Sequence, residues 1–585
     1  MAKICVVDSG YNREALSVNS KITGIDFISN NSGFLAIQKE IKDDIRHGTA
    51  VVSTIFQQNP EAEIIVCKIF DDDYIADQDK LLYILNYIEK NIDCDILNMS
   101  FGITECHLIP QLKDVCQKIS RKGTSIIAAF DNNGGVSYPA CFEHVIGVDS
   151  FMPYTGNKYQ FIENSIINIR LNIGMKRFII DNQHYIFSGS SFASAFITGF
   201  ISKNLNTINN INDFLKNNAS EVVVHKELDV LSSLPKCKKA VVFPYNKEIH
   251  SLIKFARNLP FEITHYFDSV RNGNVGKQVD SFLIDDNNMN IVKIENINNI
   301  IWNEDFDMFI LGHQKRISML ENKNYEELII EKCKEYGKTL FSFDRPASSY
   351  DNIYFPHIKP QYMSETYKKM YQISTPVVGI FGTSSSQGKF TLQMALRNML
   401  LKDNYNVGQL GTEPQSELFG FDCVYPCGYN QKINLSQEDQ ALVVNQMMAE
   451  IDKKNVDIIL CGSQSGTVPY IQKNIQFVTY MQMIYSFAIM PDISILCVNA
   501  HDDTDYVQRT INFLQSIENN QVFALAVYPK KRVSFTTQSS KYQLISEDEL
   551  KNIKITLEKK ISIPAYIMDD SGTNNLYNRM IKLLS

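Results

Sequence analysis

Three short polar blocks, each beside an apolar run, constrain the fold of this chain more than any other feature. Asp8-Ser9-Gly10 ends the apolar run Ile4–Val7, His47-Gly48-Thr49 precedes the apolar run Ala50–Val52, and Gly189–Ala193 carries Ser191 into a third apolar run. A short apolar run before a polar residue is typical of a buried strand in an α/β sheet, whose sites lie at the carboxyl ends of the strands. The blocks therefore predict an α/β fold with a polar site.

The side chains of the three blocks are an acid, a base and a nucleophile, in that order along the chain. A serine hydroxyl becomes a useful nucleophile when a histidine takes its proton and a carboxylate orients that histidine. Ser191 is expected in the first turn of a helix, where free N–H groups and the helix dipole favour a developing oxyanion. The pattern predicts a serine hydrolase, and the Ser191 amide is one expected oxyanion donor.

Two further segments complete a resemblance to a known family. Ile96–Gly102 resembles a substrate-binding strand, and Ile126–Asn132 is an apolar strand ending in an amide, placed between base and nucleophile. The order Asp, His, Ser is that of subtilisins. Residues 1 to about 205 thus resemble a compact subtilase, a subtilisin-like serine peptidase. The alternative is a triad retained in an inactive scaffold.

This resemblance implies roles for individual residues. Asp8 would orient His47, His47 would take the proton of Ser191, and Asn132 would stabilise the oxyanion. The implied substrate-binding residues are Ser100, Phe101, Gly102, Ala129 and Asp131.

The chain departs from the family pattern at a few positions. Ser190 stands where Thr is usual, Phe192 where Met is common, and Phe130-Asp131 where a small residue and Gly usually precede the amide. The Asp131 carboxylate borders the expected specificity pocket, where it would favour a basic residue before the scissile bond. The alternative is a solvated or capping carboxylate.

Composition excludes several function classes. The chain has 585 residues, 44% hydrophobic and 21% charged, which indicates about three globular domains. A formal charge of −8 offers no basic surface, so no nucleic acid partner is expected. No apolar stretch is long enough to span a bilayer, so no membrane partner is expected either. The oligomeric state stays open.

A cytoplasmic location is expected from two observations. Asp8 is reached after seven residues, which leaves no room for a signal peptide or an inhibitory pro-segment. The 12 cysteines lie mostly in apolar runs and do not resemble a disulfide framework. Cys423 and Cys427 form a close pair without a second pair or a nearby histidine, so no metal site is expected, and the peptidase needs no metal.

The remaining sequence predicts further α/β domains. We expect a peptidase domain over residues 1–218, a linker over 219–237, a Rossmann-like domain over 238–372 and a P-loop domain over 373–585. Strand-like and helical runs alternate in the middle domain, as in a parallel sheet. It has no Gly-x-Gly-x-x-Gly, so dinucleotide binding is unsupported there and a scaffold or peptide-docking role is the default.

A strand, a small-residue loop and a helix begin the last domain, which is the setting of a phosphate-binding loop. Two parts of a magnesium-dependent NTPase are missing, because Phe390 follows the lysine and Cys461 ends the expected acidic strand. Glu413, Asp502, Asp503 and Asp505 are possible substitutes, and the alternative is that these acids are solvated. The predicted cofactor-binding residues are Gly382, Thr383, Ser384, Ser385, Ser386, Gln387, Gly388, Lys389, Phe390 and Thr391.

Residues 238–585 resemble a Rossmann-like plus P-loop family of the dethiobiotin-synthetase type that includes D-glutamate N-acetyltransferases. The resemblance is carried by Gly382-Thr383, Gly388-Lys389 and Gly462–Ser465. It implies acetyl-CoA as a cofactor, with ATP or GTP as the alternative.

A chain that combines these two parts resembles the maturation proteases of ribosomally made peptides. We expect Ser191 to cleave the leader from a precursor peptide, and the carboxy-terminal half to recognise that peptide or acetylate the new amine. The alternatives are a nucleotide-regulated peptidase and a binding scaffold.

Overall fold

The computed structural model describes residues 1–584 apart from a set of short segments. Its residues divide into two compact units: unit 1 is Met1–Asp229 with Met363–Gln372, and unit 2 is Val230–Tyr362 with Ile373–Ser585. Among the described residues, no helix is both long and apolar enough to cross a membrane. The segments outside the description are 17–20, 31–32, 40, 72–74, 133, 151–155, 157, 181–182, 225–235, 247, 280–292, 348–350, 359–368, 428–434, 472, 474–479 and 533–541.

Unit 1 is built on a ten-stranded, mostly parallel sheet in the order β12-β8-β9-β7-β6-β5-β1-β4-β2-β3. The described strands are β1 (Lys3–Asp8), β2 (Lys21–Asn30), β3 (Gly33–Gln38), β4 (Glu63–Lys68), β5 (Ile96–Met99), β6 (Ser125–Ala129), β7 (Val145–Asp149), β8 (Gln160–Glu163), β9 (Ile169–Arg170), the separate hairpin β10 (Lys176–Ile180) and β11 (Gln183–Phe187), and β12 (Glu221–Val224). The helices are α1 (His47–Gln58), α2 (Gln78–Asn91), α3 (Ile109–Arg121), α4 (Ser190–Asn204) and α5 (Ile211–Asn218).

The core of unit 1 explains why residues 4–7 of β1 are all apolar. Strand β1 pairs in parallel with β4 and β5. Strands covered on both faces are apolar at every position instead of alternating. Helices α1 and α4 cross closely, since a Cβ added to Gly199 would lie 2.8 Å from the carbonyl oxygen of Ile55. This packing fixes the start of α4 relative to the start of α1.

The first boundary differs from the sequence expectation. Residues 221–224, assigned to the linker, form β12 and pair in parallel with β8 of the peptidase sheet. Most of the rest of that linker, residues 225–235, lies outside the described residues. The segment 363–372, assigned to the middle domain, belongs to unit 1.

Unit 2 contains two parallel sheets. The first has the order β15-β14-β13-β16-β17-β18. Its elements are β13 (Lys239–Phe243), β14 (Glu262–Asp268), β15 (Ile294–Asn296), β16 (Met308–Leu311), β17 (Thr339–Ser342) and β18 (Ile353–Tyr354), with helices α6 (Ile249–Lys254), α7 (Lys315–Glu321) and α8 (Tyr325–Glu335).

The second sheet of unit 2 has the order β21-β20-β22-β19-β23-β24-β27. Its strands are β19 (Val377–Gly382), β20 (Val407–Gly411), β21 (Cys423–Val424), β22 (Ile458–Gly462), β23 (Ile493–Asn499), β24 (Gln521–Tyr528) and β27 (Ala565–Ile567), beside the ribbon β25 (Lys530–Arg532) and β26 (Tyr542–Leu544). The helices are α9 (Lys389–Lys402), α10 (Gln437–Asp452), α11 (Tyr480–Ala488), α12 (Thr504–Gln515), α13 (Glu547–Ile561) and α14 (Asp570–Leu584).

The two sheets of unit 2 both contribute to one apolar cluster, in addition to a cluster of their own. Met394 and Phe419, from the second sheet's half, are buried in the same cluster as Val242 and Phe341 from the first. Burial of shared apolar surface is the main force that holds packed layers together. The two predicted carboxy-terminal domains therefore pack as one unit, and the predicted α/β class with parallel sheets is confirmed.

Candidate active site

Asp8 and His47 form a hydrogen-bonded pair in unit 1. Strand β1 ends at Asp8 and helix α1 begins at His47. The Nδ1 atom of His47 lies 2.8 Å from Oδ1 of Asp8. The Asp8 side chain is fully buried, whereas the imidazole is 12% exposed. The carboxylate is thus placed to hold one ring nitrogen and leave the other for a reaction.

The glycines of the first two blocks let the backbones meet. A Cβ added to Gly48 would lie 2.3 Å from the carbonyl oxygen of Gly10, closer than real atoms approach. The Gly48 N–H donates to Oγ of Ser9 at 2.8 Å. Asp-Ser-Gly and His-Gly-Thr therefore form one contact, and a side chain at Gly48 would push His47 away from Asp8.

Asp43 is a residue of the site that sequence reasoning missed. Its carboxylate, which is 5% exposed, accepts hydrogen bonds from Oγ of Ser9 at 2.7 Å, from the Arg46 N–H at 2.7 Å and from the Thr49 N–H at 2.7 Å. Arg46, the residue before α1, has a positive φ of 68° and makes no side-chain cap. Asp43 takes over the capping role, and an acid four residues before the histidine was the available signal.

The environment of His47 raises its pKa. Burial acts to lower the pKa, but the charge of Asp8, the hydrogen bond to Asp8 and the charge of Asp43 outweigh it. The net result is a pKa above the ordinary histidine value. The imidazolium is therefore stabilised, as a general base that must hold a proton in mid-reaction requires.

Asn132 is held against the start of α4 by its carbonyl oxygen. Oδ1 accepts from the Ser190 N–H at 2.9 Å, from Ser190 Oγ at 3.1 Å and from Ser150 Oγ at 3.2 Å. A backbone N–H can only donate, so the atom facing it must be the amide oxygen. The amide is thereby oriented, and Nδ2 is the atom available to donate to a substrate.

Ser191 lies at the start of α4, and the residue after it contacts the ring of His47. Ser191 is the second residue of that helix, after Gly189 with a φ of 108°. The ring of Phe192, the next residue, packs edge-on against the His47 ring at a centroid distance of 5.4 Å. The acid thus lies at the end of β1 and the base at the start of α1. The serine lies at the start of α4, and the amide follows the end of β6 by three residues.

The implied substrate-binding residues make different contacts. Ser100 directs its hydroxyl inward, towards Asn98 and Ser194, so it offers a substrate only its backbone. Phe101 packs edge-on against Phe70 at 5.4 Å. A Cβ added to Gly102 would lie 2.9 Å from the carbonyl oxygen of Ala129, so the backbones at Gly102 and Ala129 lie close together.

Asp131 has a local role in the structure. Its Oδ1 atom accepts a hydrogen bond from the N–H of Gly134, and its own N–H donates to Oγ of Ser137 at 2.9 Å. An aspartate that bonds a backbone N–H a few residues ahead caps a turn. The geometry favours the capping alternative over selection of a basic substrate residue.

The predicted phosphate loop of unit 2 connects β19 to α9. Lys389 is the first helical residue, and its ammonium donates to the carbonyl oxygens of Ser384 at 2.7 Å and Ser465 at 2.8 Å. The Ser384 N–H donates to Oε1 of Gln387 at 2.9 Å. Gly388 caps α9 in the left-handed conformation, with a φ of 75°.

One of the acids suggested as metal ligands has other partners. Asp502 accepts hydrogen bonds from Thr383 Oγ1 and, at 2.9 Å, from the Asn499 N–H. Phe390 points into the apolar core, where its ring lies 5.8 Å from that of Phe421. In the part of the chain that the structure describes, no group of three potential metal-ligating side chains occurs.

All 12 cysteines are free thiols. Cys5 and Cys67 face each other with a sulfur distance of 3.8 Å, too long for a bond. Cys423 bonds the carbonyl oxygen of Met447, and Cys427 accepts from Gln482. Cys423 and Cys427 are therefore not joined by a disulfide, and each has another hydrogen-bond partner.

Comparison with known proteins identifies unit 1. Residues 1–234 match the model of the subtilase family, Peptidase_S8. No curated protein sequence matched the chain. Residues 1–234 are therefore a subtilisin-like serine peptidase domain.

Solved structures show remote similarity to the chain. A DUF1611-family protein from Anabaena variabilis is 12% identical, with a TM-score of 0.42, covering 59% of this chain and 99% of that one. A cold-adapted subtilisin-like serine proteinase is 18% identical, with a TM-score of 0.31 and coverages of 37% and 84%. The prenylagaramide maturation protease PagA is 18% identical, with a TM-score of 0.27 and coverages of 37% and 80%.

Proposed function

We propose that unit 1 is an active serine endopeptidase that removes the leader from a ribosomally made precursor peptide. The observation that carries the activity is the 2.8 Å hydrogen bond between His47 and the buried Asp8. Phe192, the residue after Ser191 in α4, packs against the His47 ring.

The proposed reaction follows from this geometry. Oγ of Ser191 attacks the scissile carbonyl carbon while Nε2 of His47 takes the hydroxyl proton, and Asp8 holds the proton on Nδ1. The carbonyl oxygen becomes an oxyanion, to which Asn132 Nδ2 and the Ser191 N–H donate. His47 then gives its proton to the leaving amine, and water releases the acyl group from Ser191 by the same steps in reverse.

The substrate and compartment are supported by features of the chain. The peptidase shares one polypeptide with unit 2, a second α/β unit large enough to bind a peptide region distant from the scissile bond. Twelve free thiols fit the reducing cytoplasm, the expected location of a precursor peptide before export.

A fluorophosphonate probe tests the activity directly, because it reacts with an activated serine and needs no known substrate. We expect wild type to be labelled and Ser191→Ala to be unlabelled and unable to cleave a peptide library. Ser194→Ala is the matched control, since Ser194 lies one turn further along α4. Labelling that persists in Ser191→Ala would show that the nucleophile is another residue.

Unit 2 is a second candidate site, for a phosphate-bearing ligand held by Gly382–Thr391. The observation that favours it is the strand, loop and helix arrangement with Lys389 at the first position of α9. In this proposal an anion replaces the carbonyl oxygens of Ser384 and Ser465 around the ammonium. Acetyl-CoA, which would supply an acetyl group to the newly formed amine, is the proposed ligand, and ATP or GTP is the alternative.

Calorimetric titration of the full chain distinguishes these ligands. We expect acetyl-CoA to bind without magnesium, because Phe390 stands where an NTPase places its magnesium-binding hydroxyl, and Lys389→Ala to abolish binding. Binding of ATP or GTP that needs magnesium would favour the regulated-peptidase alternative. Absence of binding by all three would remove the cofactor proposal.

A further inference from the structure

A short segment far along the chain completes unit 1. Residues 369–372 follow the first sheet of unit 2 in sequence but belong to the peptidase unit. We call them the return segment. Its first residue, Lys369, is 8% exposed. A lysine this buried is rare unless its ammonium is paired.

The ammonium of Lys369 contacts the loop that carries Asn132. Its Nζ atom donates to the carbonyl oxygen of Asp131 at 2.6 Å. The same atom lies 3.7 Å from Oδ1 of Asp149, whose side chain is 2% exposed. The carbonyl that Lys369 holds belongs to the peptide group joining Asp131 to Asn132, so it fixes the backbone from which the Asn132 side chain projects.

The return segment holds the other end of the same loop through its backbone. The carbonyl oxygen of Met370 accepts a hydrogen bond from the N–H of Val136 at 2.8 Å. A Cβ added to Gly135 would lie 2.2 Å from that oxygen, so the two backbones meet where no side chain fits. Residues 131 and 136 are thus both tied to consecutive residues of the return segment.

The charges around Asn132 give Lys369 a second effect. Asp149 is the last residue of β7, and the following residue, Ser150, donates to Oδ1 of Asn132. A buried carboxylate needs a compensating charge or hydrogen bonds. Lys369 places a positive charge beside Asp149 and thereby also stabilises the strand end that supports the amide.

We propose that Lys369 is a positioning residue for the oxyanion site of the peptidase. It acts through the Asp131 carbonyl group, which sets the position of the Asn132 amide, and it does not contact the substrate. The inference rests on the proposed function, in which Asn132 donates to the oxyanion. In this proposal the return segment, which comes after the first sheet of unit 2 in the sequence, completes the peptidase centre.

The test compares Lys369→Met with Lys369→Arg in the full chain. Methionine keeps most of the packing but removes the donor, so we expect kcat on a peptide substrate to fall about 10-fold with KM little changed, a fraction of the 100- to 1,000-fold loss from removing an oxyanion donor. Arginine keeps a donor and a charge and should restore most of kcat. Lys216→Met, which breaks an ion pair with Glu163 elsewhere in unit 1, is the matched control and should retain wild-type kcat.

A second variant covers the risk that Lys369→Met leaves the buried Asp149 carboxylate without the nearby positive charge and does not fold. Asp149→Asn/Lys369→Met removes both charges of this pair, yet the hydrogen bond to Asp131 is still lost. We expect this double variant to melt as one folded unit and to keep the kcat loss. A double variant with the kcat of wild type would overturn the positioning role.

Labelling of Ser191 separates the role of Lys369 from the proposed peptidase activity. If wild type is labelled by a fluorophosphonate at Ser191 and the double variant is labelled at the same rate, Lys369 has no role in positioning. If wild type itself is neither labelled nor active, the proposed function fails, and the inference that rests on it falls too.

Discussion

The replacement Asn132→Ala isolates the proposed oxyanion donor. In the structure the amide oxygen is occupied by Ser190 and Ser150, which leaves Nδ2 as the atom that can donate to substrate. Removal of one such donor costs about 2.7–4 kcal/mol of transition-state stabilisation, or roughly 100- to 1,000-fold in kcat. KM should change little, because the bond forms only with the developing oxyanion.

The same replacement has a separate effect on stability. Ser190 is 1% exposed, and alanine would leave its N–H without the acceptor at 2.9 Å. A buried donor left unsatisfied costs about 1–3 kcal/mol. Ser190 Oγ keeps the carbonyl oxygen of Phe130 as a partner, so the expected loss is that of one donor. A domain of ordinary stability, about 5–15 kcal/mol, stays folded after this loss.

Asn132→Asp separates the two effects. Aspartate keeps an oxygen for Ser190 and Ser150 but places a second oxygen where Nδ2 was, so stability should be retained while kcat falls at least as far as in the alanine variant. The assay is steady-state cleavage of a fluorogenic peptide at 25 °C, with thermal melts of both variants. A loss of less than about 10-fold in kcat, or a loss confined to KM, would refute the assignment of Asn132.

His47, Asp43 and Asp131 can each be tested by one further measurement. Because the pKa of His47 is raised and the neutral ring is the base, activity should fall as the pH drops through a value above the ordinary histidine pKa of about 6.5; a kcat–pH profile with its acid limb below that value would contradict this. Asp43→Asn should lower the free energy of unfolding by about 1–3 kcal/mol, because one amide N–H would face the donors of Thr49 or Ser9 and Arg46; denaturant titration measures it, and an unchanged midpoint would contradict the capping role. Asp131→Asn should leave the cleavage profile of a peptide library unchanged, since asparagine can keep the bond to the Gly134 N–H; selective loss of cleavage after Lys or Arg would instead support charge selection.

Much of unit 1 was predictable from its sequence because its catalytic residues stand next to apolar runs that form strands and helices. Strand β1 ends at Asp8 and helix α1 begins at His47 as the apolar runs predicted. The role of Asp43 was missed although the acid stands four residues before the histidine, because its partners lie on two segments, at Ser9 and at Arg46 and Thr49, that only the fold brings together. The same holds for Lys369, whose partner Asp131 is 238 residues away.

The boundaries of unit 2 show where local patterns stop being informative. The alternation of strands and helices predicted two α/β domains, and both sheets are present. Their common core, with Met394 and Phe419 beside Val242, depends on which apolar faces meet, and periodicity carries no information on that. The partners of Asp502 were hidden for the same reason, since a loop acid in a sequence gives no sign of its hydrogen bonds.

Peptide mapping by mass spectrometry after fluorophosphonate labelling of the full chain tests the catalytic role of Ser191 most directly. We expect one stoichiometric adduct on Ser191 in wild type, and its loss in His47→Ala, which keeps the serine but removes the base. An adduct on a different serine, or labelling of Ser191 that is equally fast without His47, would contradict the proposed catalytic site.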